Sequence, residues 1–216
     1  MGQKVHPRAF RLNTVKTWDS KWFARKSQFA DQLRTDVLVR AFLMRSLREA
    51  SVASIEIERS GSNVVITVRS AKPGFVIGRG GTGAEELKRK LMLQFFKGKK
   101  VNVQLNIVEV TKPSLSATIV AQQIATDTEK RMPFRRLMKQ AIDRVEKGGA
   151  EGVKIRMSGR LGGAEIARRE QLSSGKIPLQ NLRADIDFGQ ATAHTIYGTV
   201  GVTVWINRGE VFEKSV

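Results

Sequence analysis

The sequence predicts an α+β protein made of two successive domains, and three observations carry that prediction. Between Gln28 and Glu49, apolar residues fall at Phe29, Leu33, Val37, Ala41, Met44 and Leu47, close to the period of an amphipathic helix. Val52 to Glu58 and Asn63 to Ser70 then alternate with a period of two, as half-buried strands do. After Pro113, two further helix-length segments are followed by strand-length stretches and turns in which no helical stripe recurs.

The chain opens on a tail, Gly2 to about Lys16, whose Lys4, Arg8, Arg11 and Lys16 sit among few apolar residues. Such a segment does not fold alone; it orders as a basic arm on RNA or a partner, or it frays. Trp18 and Trp22 flank Lys21 and either stack on bases or pack under the first helix. That helix, over 28–49, buries the stripe just named. Ile55, Ile57, Val64, Ile66 and Val68 keep one face of a hairpin turned at Ser60-Gly61-Ser62. Next come a glycine loop, a helix to about Phe96, a break at Lys97-Gly98-Lys99-Lys100 and a strand from Val101 to Val110. The first domain, residues 17–111 behind an arm of residues 1–16, therefore reads helix, strand, strand, glycine loop, helix, strand.

The glycine loop, Phe75 to Thr82, is the most informative stretch of that domain. Gly78, Gly80 and Gly81 free the backbone for positive φ and close approach to a ligand. Thr82 and Glu85 have the spacing of a capping box, and Leu87 and Leu91 then recur one turn apart, so a helix N-terminus faces whatever the loop touches. Two ligands fit. Gly78-x-Gly80-x-x-Gly83 matches the dinucleotide fingerprint, and Gly78-Arg79-Gly80-Gly81 matches the G-x-x-G clamp of a K homology RNA-binding domain. The fingerprint requires a strand running into its first glycine and an acid about 20 residues on. Here Lys72-Pro73-Gly74 interrupts the approach, and Glu109 lies at the far end of the next strand.

Thr111-Lys112-Pro113-Ser114 marks the start of a second domain, residues 112–216. A helix from about Ser116 to Lys130 carries Ile119, Val120 and Ile124. The next opens at Pro133, stops at Gly148-Gly149 and buries Phe134, Leu137, Met138, Ala141, Ile142 and Val145. Arg135, Arg136 and Lys139 lie near its start, with Lys130 and Arg131 just upstream. Cations in a first turn oppose the helix dipole by a few tenths of a kcal/mol each, roughly, so they mark a solvated basic face or a nearby polyanion. Val153 to Met157, Leu182 to Phe188 and Thr195 to Ile206 read as strands. Between the first two, Ser158 to Arg169 is glycine-rich, with Arg160, Arg168 and Arg169 suited to phosphate contacts or to a surface loop.

Composition narrows the function. The 216 residues carry a formal charge of +18, which points to a polyanionic partner. No run of apolar residues is long enough to span a membrane and no signal peptide opens the chain, so it reads as soluble and intracellular. With no cysteine and only His6 and His194, neither a thiolate nor a histidine-rich metal site is expected, and no nucleophile motif or Walker lysine is present. Both histidines read as hydrogen-bonding or RNA-facing. Asp185 and Asp187 share a strand face; they could bind a metal, and read first as structural acids pairing with arginines such as Arg183.

Seven blocks resemble one family, in order along nearly the whole chain. They are Gly2-Gln3-Lys4-Val5-His6-Pro7, Val76-Ile77-Gly78-Arg79, Asn106 to Val110, Phe134-Arg135-Arg136, Ser158 to Arg168, Leu182 to Asp187 and Gly201 to Ile206. Together they are similar to the bacterial ribosomal protein S-three family of the small subunit. The resemblance implies a type II K homology domain followed by an α/β domain with two helices on a mainly antiparallel sheet. With the exclusions above, the expected function is that of a non-enzymatic, RNA-binding structural protein of the ribosome with no cofactor, metal, small-molecule substrate or membrane. The alternative is a free K homology regulator of messenger RNA, which has no evident use for the glycine-arginine block of the last third. Implied partners are 16S ribosomal RNA, messenger RNA at the channel entrance, the ribosomal proteins S-ten and S-fourteen, and also S-four and S-five. Gly78, Arg79, Gly80, Gly81, Lys4, Arg8, Arg11, Arg131, Arg160, Arg168 and Arg169 are then RNA-binding candidates, and Arg135, Arg136 and Lys139 match residues associated with unwinding messenger. Gly80 stands where the family usually has a cation, and Gly83 loosens the helix start, which together imply a weak, backbone-mediated clamp. Glu170-Gln171-Leu172 replace a usual Trp-Tyr.

Overall fold

The structure, a computed structural model, describes residues 3–97 and 101–212; Gly2 of the first motif and Gly98, Lys99 and Lys100 of the expected break lie outside the described residues. In chain order the elements are α1 (Pro7–Phe10), β1 (Ser20–Lys21), α2 (Lys26–Ser46), β2 (Val52–Ser60), β3 (Asn63–Ser70), α3 (Pro73–Ile77), α4 (Thr82–Phe95) and β4 (Asn102–Glu109). They continue with α5 (Ala117–Glu129), α6 (Phe134–Lys147), β5 (Gly152–Gly159), β6 (Arg168–Gly175), β7 (Ala184–Thr195) and β8 (Gly198–Glu210). Two compact units result: Trp18–Thr111, and Lys112–Val216 joined by Met1–Thr17.

In the Trp18–Thr111 unit the sheet order is β1-β2-β3-β4, with β2 and β3 antiparallel and β4 parallel to β3. Ile55, Ile57, Val64, Ile66 and Val68 all point into one core with Val39, Leu43, Val76 and Leu91. Two expectations need correction. The segment around Pro73 is not an irregular interruption but the short helix α3, with proline at its start, where a missing N–H costs nothing. The stripe of α2 faces the wrong way: Phe29, Leu33, Val37 and Met44 are 49%, 43%, 54% and 39% exposed, whereas Asp36, Val39 and Leu43 are buried. Periodicity misread the face because α2 is apolar on two sides and its inner side contains a carboxylate. Asp36 accepts from the Trp22 indole N–H at 2.6 Å and from the Arg59 guanidinium. Arg59 in turn lies over the Phe96 ring, and Trp22 packs on Phe29. Trp22 thus packs at the first helix, while Trp18 remains 63% exposed.

In the other unit all four strands are antiparallel, in the order β6-β5-β8-β7, and α5 and α6 cover one face. Core side chains from β5 (Val153, Ile155, Met157) and β8 (Val200, Val202, Val204, Ile206) meet Val120, Ile124, Met138 and Val145. At Gly189 of β7 the backbone of α5 comes so close that a Cβ would overlap Ala117. Asp187 accepts from the Ala117 N–H at 2.9 Å, capping α5 from the neighbouring strand. Asp185 and Asp187 are structural acids, but their partners are Lys16 and Arg208 rather than Arg183. Strand β6 went unread because Arg168 to Gly175 is a polar edge strand with one apolar residue, Leu172.

The amino-terminal arm packs on this unit. Arg11 is fully buried, its guanidinium donating to the carbonyls of Pro7, Pro178, Leu179, Asn181 and Ala184. Burial lowers its pKa, Asp185 partly opposing. His6 Nδ1 accepts from the Ala9 N–H and its ring stands edge-on to Phe188 at 4.5 Å.

Candidate nucleic-acid interface

The glycine loop is built by backbone geometry. Gly78, Gly80 and Gly81 all have positive φ, at 71°, 60° and 85°. A Cβ on Gly78 would stand 2.9 Å from the Gly83 nitrogen, and one on Gly83 would stand 3.0 Å from the Val76 carbonyl. Gly83 therefore lets α3 and α4 close on each other; it adds no slack. The expected capping box is absent: Gly81 occupies the N-cap of α4, no side chain caps it, and the Thr82 hydroxyl instead donates to the Arg79 carbonyl at 2.9 Å. The Thr82 N–H also donates to the Arg79 carbonyl, while the amides that follow it at the start of α4 have no side-chain cap and form the N-terminal end that favours an anion. Arg79 and Gly80 are exposed, and open space lies beyond Gly80 and Gly81. A helix, not a strand, runs into Gly78, so the geometry that positions a dinucleotide pyrophosphate is missing.

A second group of cations lies where α5 ends and α6 begins. Arg131 N–H donates to Thr128 and Met132 N–H to Asp127, the two bonds of a Schellman motif, and Arg131 holds its left-handed position at φ 62°. Pro133 is the N-cap of α6, one position earlier than expected. Leu137, Met138, Ala141, Ile142 and Val145 face the core, leaving Arg135, Arg136 and Lys139 outward. Arg135 lies over the Phe134 ring and reaches Glu170 only at 3.9 Å. Neither Arg136 nor Lys139 has an acidic partner among the described residues.

The glycine-arginine block is ordered by its own arginine. Arg160 donates to the carbonyls of Ala164 at 2.9 Å and Tyr197 at 3.0 Å, and Gly163 lies so close under the Tyr197 ring that a Cβ would come within 3.0 Å of it. Arg168 and Arg169 open β6 and are exposed. Strand alternation puts Arg168 with Glu170 and Leu172 on the helix-covered face, towards the first turn of α6. Arg169 points to the opposite face.

Residues 38–115 match the family described as KH domain, and residues 124–206 match ribosomal protein S3, C-terminal domain. The chain is 51% identical over 211 residues to proteins named small ribosomal subunit protein uS3 from Clostridium novyi (strain NT) and Clostridium perfringens (strain SM101 / Type A), covering 98% of this chain and 94% of each relative. A protein of the same name from Clostridium botulinum (strain Okra / Type B1) is equally similar. The chain belongs to the uS3 family.

A uS3 chain is a structural, non-enzymatic ribosomal component, and the α2-β2-β3-α3-α4-β4 order with a parallel β3-β4 pair is its K homology domain. Within the carboxy-terminal unit the uS3 fold places Arg135, Arg136 and Lys139 at the start of α6, with Arg131 just before it, and brings Arg131 and Arg160 to one cleft. It does not bring Arg11 there. That residue was expected to touch RNA and is instead spent on five carbonyls, because a guanidinium can satisfy several acceptors that would otherwise be buried unpaired. Lys4 is exposed and Arg8 is half-buried on the docked arm. Sequence reading missed the open face of the β5-β8 pair, where Lys154 and Arg156 lie over the Trp205 ring at 5.7 and 5.1 Å. Their alternation with Val153, Ile155 and Met157 was the available signal.

Proposed function

We propose that this uS3 protein is a structural constituent of the head of the small ribosomal subunit in the cytoplasm, bound to 16S ribosomal RNA and lining the entrance of the messenger channel. There Arg135, Arg136 and Lys139 help to open structured messenger. The supporting observation is the start of α6, where Arg135, Arg136 and Lys139 are exposed, Arg136 and Lys139 have no acidic partner among the described residues, and Arg135 and Arg136 sit against the helix dipole. Phosphates supply what the helix does not: each contact displaces condensed counterions, and cations fixed on a rigid helix hold separated strands apart. The glycine loop adds a backbone-mediated clamp in which Arg79 carries the charge. The exposed apolar stripe of α2 is surface suited to neighbouring proteins such as S-ten or S-fourteen, with S-four and S-five towards the channel.

Ribosomes carrying Arg135→Ala, Arg136→Ala and Lys139→Ala together test the reading. They should assemble normally and slow selectively on messengers containing a stable hairpin. Equal losses of assembly and translation would assign the three cations to architecture alone.

A further inference from the structure

Beside the messenger-facing cations lies a cleft of about 380 Å³ that plays no part in the proposed unwinding. Its lining combines the buried Leu161 and Val200 and the half-buried Phe134 with Arg131, Arg160 and Tyr197, and includes one acid, Glu129. We propose that this cleft receives one unstacked nucleotide of an RNA strand, its base against Tyr197 and Phe134 and its phosphate on Arg131 and Arg160. The proposal rests on the RNA-binding reading and specifies what part of the strand is held.

Both walls are fixed in advance, as a ligand site requires. On one side Arg160 ties the 160–164 loop to the Tyr197 carbonyl and lies over its ring at 5.9 Å, with Gly163 packed beneath. On the other, Glu129 Oε1 accepts from the His194 N–H at 3.0 Å, joining the end of α5 to β7. Tyr197 is nevertheless 51% exposed, a ring held in place but left with an open surface. Arg160 uses two of its five N–H donors on these carbonyls. Arg131 is the most telling member. It occupies the left-handed position of a Schellman motif, where glycine is the unstrained choice, so its side chain is there for something other than ending the helix. Apolar and aromatic side chains beside two arginines suit a base and its phosphate, since unpaired RNA is read by stacking on aromatic rings.

The test uses the full-length protein and short single-stranded RNA carrying one 5-bromouridine. Irradiation should crosslink the substituted base to the peptides containing Phe134 or Tyr197. Arg131→Gly, which supplies the residue the backbone prefers, should abolish those crosslinks and weaken binding several-fold at fixed salt; Tyr197→Leu should weaken it roughly tenfold. If the RNA binds and depends on Arg135, Arg136 and Lys139 but neither crosslinks in the cleft nor responds to Arg131→Gly, the pocket assignment fails and the RNA reading stands. Failure of the RNA to bind at all would overturn the RNA reading as well. Unchanged RNA affinity in Tyr197→Leu together with defective subunit assembly would show that a neighbouring protein fills the cleft.

Discussion

Arg131 and Arg11 show how the same residue type is used in opposite ways. A left-handed L-residue costs about 1–2 kcal/mol, so Arg131→Gly should raise the stability of the protein by about 1 kcal/mol in denaturant unfolding. Lower stability in that variant would show that the side chain supports the fold rather than a ligand. Arg11 is structural: Arg11→Ala leaves the buried carbonyls of Pro7 and Ala184 and the part-buried ones of Pro178, Leu179 and Asn181 without this donor and should cost about 3 kcal/mol, with the arm detached. Arg11→Lys should recover part of that loss, lacking the planar fork. His6 makes docking of the arm pH-dependent. Burial first, and then Arg8, lowers its pKa, so the docked state prefers the neutral ring that accepts from Ala9. Its contribution is whole above the ordinary value of 6.5 and is lost as pH falls from there through the lower folded value. Amide exchange of Ala9 should therefore be slower at about pH 8 than at about pH 5 after correction for intrinsic rates; equal protection would contradict this.

At the scale of elements, two junctions carry most of the specificity. Asp36 joins α2 to Trp22 and to Arg59 of β2, so Asp36→Ala strands a mostly buried guanidinium and an indole N–H and should destabilise the K homology unit by roughly 3 kcal/mol. Gly189 lets α5 lie directly on β7, and Gly189→Ala should cost about 1–3 kcal/mol as the helix is pushed away. These junctions also mark the limit of sequence reading. Strands with alternating β-branched residues, such as β2, β3 and β8, and helices with one apolar stripe, such as α6, were legible because their buried faces are written in side-chain type. The face of α2 was not, since a buried carboxylate looks like a surface residue until its partners are seen. Nor was β6, a polar edge strand recognisable only from its ladder to β5. In the candidate site, the loop glycines and α6 cations stood out by spacing and by their conflict with the dipole. The docking of Arg11 and the cleft beside Arg131 depend on contacts between segments up to 173 residues apart, which no local pattern encodes.

For the whole molecule, the charge of +18 makes phosphate contact the main source of affinity for RNA. If six or more phosphates are neutralised, RNA affinity should fall on the order of a thousandfold between about 50 and 200 mM salt; an affinity indifferent to salt would refute a role for that charge. The family fixes the assembly in which the charge works, and the α6 surface decides what the protein adds there. The most direct measurement is photo-crosslinking in assembled ribosomes stalled on a messenger with a photoreactive nucleotide just downstream of the channel entrance. Crosslinks should form to the segment from Phe134 to Lys139 and weaken when Arg135, Arg136 and Lys139 are replaced by alanine. Messenger that crosslinks elsewhere, with that segment covered by ribosomal RNA, would contradict the proposed role.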